Sequence, residues 1–310
     1  MKKYLLIALG IIFWLIPSVC VAEKESTLHR DALVAFHIVN DSRDPGVSWL
    51  MTNWLAQIKA SRRISQQEKQ AFGELFPNMP RDIEGGIIDQ DTMIVIAPLI
   101  SKNSISEDTL INLIKKDIPM KRFSYKGYAG YHRIGEGKMH ISAFALSKKY
   151  AVLASNSDYI KKTIDIMENK KERLSDDSGY KETLSLLPPK ADIMIFANNK
   201  DKGFSRILKG WEKKWKMTVF LSAPYLDSMG LSFDVINEDK MKGMLAFKCS
   251  QKNRIPDVVD DARFLGEVLR RKFAKEKIKY TSKVTLKDNY VFLEVEISGM
   301  KPLWIMLFNQ

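Results

Sequence analysis

The sequence predicts an α+β protein made of two related modules of mixed or antiparallel sheet, each with its helices packed on one face. Three observations carry this expectation. Short apolar or alternating runs recur along the chain, amphipathic stretches opened by capping residues lie between them, and neighbouring strands mostly meet through hairpin-length turns. A composition of 45% apolar and 28% charged residues belongs to a folded chain, which excludes the disordered, collagenous and multi-span membrane classes. With 310 residues the chain has room for one large or two modest domains.

The N-terminus comes first. Lys2 and Lys3 precede an apolar run from Tyr4 to Ile16, then Pro17 and small residues ending at Ala22, the order of a secretory signal peptide. At ~1.5 Å per residue this run covers about 20 Å, short of the ~30 Å hydrocarbon core, so cleavage after Ala22 is expected over a retained membrane anchor. Val19 is bulkier than lipidation at Cys20 requires. The expected location is therefore periplasmic or otherwise exported, with anchoring through an uncleaved N-terminus as the alternative. Removing Lys2 and Lys3 takes the formal charge from +12 to +10. Cys20 leaves as well, so Cys249 is alone, no internal disulfide can form, and its place in the alternating run Met244–Cys249 reads as a small buried hydrophobe.

Ala32–Val39 reads as a strand, after which Asp44-Pro45 caps a helix with Val47, Leu50, Met51, Trp54, Leu55 and Ile58 on one face. Ser65 with Glu68 and Ser104 with Glu107 are capping boxes of two further helices, stopped by Pro77 and Pro119, with strand Met93–Ile96 between them. Residues 128–155 read as strands broken at Gly135-Glu136-Gly137 and Lys148-Lys149, and Ser157 opens a helix. After Pro188-Pro189 come strand Ile193–Ala197, a helix bearing Trp211 and Trp215, strand Met217–Leu221, a hairpin around Asn237–Asp239, a long helix from Pro256 and a terminal hairpin.

The halves share this order, with Ala32–Val39 matching Ile193–Ala197 and residues 106–116 matching 257–275, a candidate internal duplication. The expected organisation is a signal peptide over 1–22, a first module over 23–167, a charged linker over 168–187, a second module over 188–300 and an apolar tail over 301–310. In the terminal hairpin, Asp288-Asn289 suits a two-residue turn. That register sets Val284 against Leu293 and Leu286 against Val291 on the core face, and Lys283 against Glu294 on the other.

The stretches ALSKKYAVLASNSDYIKKTID (Ala145–Asp165), LLPPKADIMIFANN (Leu186–Asn199) and MGLSFDV with MKGMLAFKC (Met229–Cys249) resemble an uncharacterised family of bacterial exported proteins, a domain of unknown function. The resemblance implies export and a two-part architecture, and brings no functional residue.

The sequence holds no P-loop, dinucleotide glycine fingerprint, HExxH, GxSxG or Cys-x-x-Cys. If Gly135-Glu136-Gly137 closes a three-residue hairpin, His132 stands opposite His140. These two are the candidate metal ligands, yet a zinc site takes three or four and only Glu136 lies close, so a histidine pair without metal is expected, and no cofactor. His37, in a strand, reads as a core residue. Arg270, Arg271, Lys272 and Lys275 end a helix begun by Asp257, Asp260 and Asp261, which suits its dipole and offers a contact for an anionic surface. Trp49 falls opposite the apolar stripe of its helix and Trp304 lies in the tail PLWIMLF, two candidate partner contacts.

The expected function is a non-catalytic envelope protein that binds or scaffolds. Its partner would be an unknown protein or an anionic envelope component, and nucleic acid is disfavoured by export. The alternatives are an enzyme using scattered carboxylates or histidines, and a peripheral membrane binder acting through its basic helix faces.

Overall fold

The computed structural model describes residues 26–39, 44–60, 66, 69–70, 82–88, 92–99, 111, 119–134, 142–169, 172–189, 191–199, 202–203, 205 and 221–300. Strand β1 (Val34–Val39) leads to helix α1 (Pro45–Ala60), then β2 (Asp82–Ile87), β3 (Met93–Pro98), β4 (Met120–Tyr125), β5 (Tyr128–Arg133), β6 (Ala143–Leu146) and β7 (Tyr150–Ala154). Helix α2 (Ser157–Asn169), a 3-10 turn (Leu174–Asp176) and helix α3 (Ser178–Ser185) follow. The chain continues through β8 (Ile193–Asn198), β9 (Leu226–Asn237), β10 (Lys240–Cys249), α4 (Ile255–Lys275), β11 (Lys279–Lys287) and β12 (Tyr290–Ser298).

These strands form one twelve-stranded sheet in the order β11-β12-β10-β9-β8-β1-β2-β3-β7-β6-β5-β4. Every ladder is antiparallel. This corrects the expected pair of α+β modules, because β1 pairs with β2 on one edge and β8 on the other and so fuses the two expected sheets into one. The helices also lie on both faces. Residues opposite one another in a ladder share a face, so Leu293, Leu245, Leu231, Ile195 and Phe36 form one row across five strands. That face meets Val258, Ala262 and Phe273 of α4, and Trp49 of α1. On the opposite face Ile96, Val152 and Ala145 pack with Ile160 and Ile164 of α2, while Met194 and Met244 pack near Leu184 of α3.

Local chemistry starts and stops these elements. The Asp44 carboxylate accepts from the Gly46 and Val47 amides at 2.8 and 2.9 Å, as the sequence predicts for α1. Asn156 caps α2 through Asp158 and Tyr159, both at 3.0 Å, and Asp177 caps α3 through Tyr180 at 2.9 Å. The terminal hairpin takes the expected register, with Val284 against Leu293 and Asp288 at φ 55 in its turn. Leu286 faces Val291 on the core face as expected, yet it is 55% exposed because β11 is the outermost strand.

Residues 168–187, expected as a linker, complete α2 and build the 3-10 turn and α3, and Leu174 and Thr183 within them are fully buried. The expected signal peptide, most of the helices expected from Ser65 and Ser104, the Trp211–Trp215 stretch and the 301–310 tail with Trp304 lie outside the described residues.

Candidate functional site

On the α2 face a cleft of about 660 Å³ opens where β1, β2, β3 and β7 pass beneath the N-terminal segment and the end of α2. His37 on β1 and Glu84 on β2 are direct ladder partners in its floor, with Ile96 next in the row. Tyr128, Tyr150, Pro98 and Met167 supply the apolar walls, and Thr27, Glu168 and Arg173 line one side. Lys148 and Lys149 form the rim.

Each carboxylate of the cleft is already engaged. Glu84 accepts from the Ser26 hydroxyl, from the Thr27 amide at 2.9 Å and from the Thr27 hydroxyl at 2.7 Å. Glu168 lies 3.1 Å from the Lys126 ammonium, which also meets Asp165 at 2.7 Å and holds that carboxyl below its ordinary value. Arg173 is 6% exposed and donates to the Met167 carbonyl at 3.3 Å.

The rim is positioned by Ser147. Its hydroxyl accepts from the Lys149 and Tyr150 amides at 3.2 and 3.0 Å and closes a tight β6–β7 turn that projects both lysines outward. Neither lysine forms an ion pair with a described residue. The cleft thus combines an aromatic and aliphatic interior with cations whose charge is not spent within it. Such a site attracts an anionic group and shields an apolar body.

The residues singled out in the sequence sit elsewhere. His132, on β5, faces Ala143 on β6 and Lys121 on β4, and packs edge-on against Phe123 at 6.0 Å. The expected pairing with His140 is therefore corrected: the β5–β6 register is shifted by three residues because the connection is longer than Gly135-Glu136-Gly137. His140 itself lies outside the described residues, and among those residues no group of three or more His, Cys, Asp or Glu could hold a metal ion. Arg270 is held by Glu267 at 2.7 Å, Arg271 and Lys275 are exposed, and Lys272 is half-buried. Trp49 is half-buried against the α4-side core. Cys249 is 2% exposed, and burial followed by the Asp227 charge pushes its thiol up to about 11, the reverse of an activated nucleophile.

Sequence reasoning missed Glu84, Arg173, Tyr128 and Tyr150, whose meeting depends on strand order. Lys148-Lys149 was legible as a hairpin break, and its adjacency to Ser147 was the available signal. Among the described residues no helix is long and apolar enough to cross a membrane. Comparison with protein-family models, curated proteins and solved structures finds no match to the chain.

Proposed function

We propose that this is an exported, non-catalytic binding protein of the cell envelope whose cleft takes a small anion with an apolar body. The observation that carries the reading is the pair Lys148 and Lys149, unpaired among the described residues, at the mouth of an apolar-walled cleft whose own carboxylates are engaged. A volume of about 660 Å³ suits a ligand of metabolite size. The anionic group sits between the rim lysines, and the body lies against Tyr128, Tyr150 and Met167.

Phenyl phosphate, benzoate and neutral benzamide are suitable probes by calorimetric titration. The two anions bind, benzamide does not, and Lys148→Ala/Lys149→Ala weakens binding by about tenfold or more, since each 1.4 kcal/mol lost is a factor of ten. Equal binding of benzamide, or an unaffected double variant, overturns the reading.

A further inference from the structure

We infer that Asp44, Asp192 and Asp234 form a proton-operated clasp that seats the first turn of α1 on the sheet while Asp192 is protonated and loosens it when that proton leaves. The geometry lies at the start of β8. Asp192 is 6% exposed, and its Oδ2 accepts from the Val235 amide on β9 at 2.6 Å. The Asp234 carboxyl on β9 acts on the same group. Asp44, just before α1, adds a further negative charge near it while its Oδ1 accepts from the Gly46 and Val47 amides.

Gly46 ties the helix to this spot. A Cβ at that position would lie 1.9 Å from the Val235 carbonyl oxygen, so the first turn of α1 rests directly on the residue whose amide Asp192 holds. A change at Asp192 is thereby felt at α1 through one shared residue, Val235.

The charged groups facing the clasp are Asp44 from α1, Asp234 from β9, and Lys242 from β10, which stands opposite Asp234 in the ladder. Among the described residues no cation acts on Asp192 itself. Burial first, then the Asp44 and Asp234 charges, raise the Asp192 carboxyl to about 7. With its proton, Asp192 is neutral and the set carries one charge fewer. Without it, a carboxylate that water barely reaches stands beside the half-buried Asp44 and Asp234 carboxylates, which favours a state in which α1 lifts and Asp192 is hydrated.

The sign follows from linkage. The closed form holds a proton that the hydrated form releases near the ordinary aspartate value, so opening grows as pH rises between those two values and levels off above the higher one. Hydrogen exchange of α1 amides in the full chain, corrected for intrinsic exchange and followed by mass spectrometry, reads this directly. Opening of residues 45–60 rises by about tenfold per pH unit between about pH 5 and 7 and then flattens, while Asp192→Asn gives a much shallower rise. Asp234→Asn, which removes one of the repelling charges, levels off at a lower pH than the wild type and serves as the test should Asp192→Asn not fold. Flat wild-type opening across this range, the same rise in Asp192→Asn, or an unmoved plateau in Asp234→Asn overturns the clasp.

Discussion

Phe36 on β1 and Ile195 on β8 face each other directly across the ladder that joins the two halves of the chain. Phe36 belongs to the core shared with Ala97, Phe144 and Ala151, and Ile195 packs against both that cluster and the α4-side core. The pair is therefore a shared wall between the halves.

A protein joined through such a wall unfolds as one unit. Phe36→Ala, at a 5% exposed position, is expected to cost about 3–5 kcal/mol and to lower a single thermal transition. Calorimetry that instead resolved two transitions, only one of them shifted, would show the halves to be independent.

Gly46 reverses the usual helix rule. Gly→Ala inside a helix ordinarily stabilises by about 1 kcal/mol. Here the new methyl would overlap the Val235 carbonyl, so Gly46→Ala is expected to destabilise by upwards of about 2 kcal/mol. Chemical denaturation of the two proteins gives the sign at once.

Leu174 tests the status of residues 168–187. It is fully buried beside Leu28, whose carbonyl accepts the Leu174 amide at 2.8 Å. Leu174→Ala is expected to cost about 2–5 kcal/mol and to expose this stretch to trypsin, which leaves it intact in the wild type. Early cleavage of wild type after Lys181 would mark the stretch as a true linker.

His29 makes stability fall on acidification. Burial, then the Lys162 charge, hold its imidazole below the ordinary value, and these outweigh the opposing pull of Asp31 and Glu172. The unfolded chain thus takes up this proton at a higher pH than the folded one. Stability from this residue is complete above about pH 6.5 and is lost as pH falls through the lower folded value. The thermal midpoint of His29→Gln is expected to depend less on pH below about 6.5 than that of the wild type. Parallel profiles would assign the acid sensitivity elsewhere. Asp192 acts with the opposite sign, so each residue needs its own variant.

Glu84 holds the N-terminal segment over the cleft. Glu84→Ala leaves the Ser26 and Thr27 donors without their acceptor, at about 1–3 kcal/mol, and should release residues 26–30 to rapid hydrogen exchange while the α4 side stays protected. Unchanged exchange at 26–30 would place the anchor at the pairing with residues 172–174 instead.

Local structure was the legible part of this sequence. Asp44 announces the start of α1, and the Asp288-Asn289 turn fixes its hairpin because the strands it joins are adjacent in sequence. The same arithmetic failed at His132, where the connection is longer than its glycines indicate and a shift of three residues replaces His140 by Ala143. The union of β1 with β8 could not be counted from any turn, since about 160 residues separate the partners and nothing local encodes so distant a pairing. One trace of it was present. Residues 34–38 and 193–197 lack the alternation of a half-solvated strand, as both faces of the mid-sheet are covered. The cleft was legible only in pieces, because Glu84 and His37 meet through strand order while Arg173 reaches them from the segment paired with His29.

The β1–β8 pairing also sets a timetable for the emerging chain. When residues 26–154 have appeared, β1 can already pair with β2, and its other edge, Val34–Val39, is a bare row of amides and carbonyls in an apolar strand. It stays so until Ile193–Asn198 arrives, an interval in which another copy of the chain can supply the missing strand. Chaperone dependence and aggregation during production should therefore concentrate in chains truncated between residues 154 and 193, and fall once β8 and its own partner β9 are included.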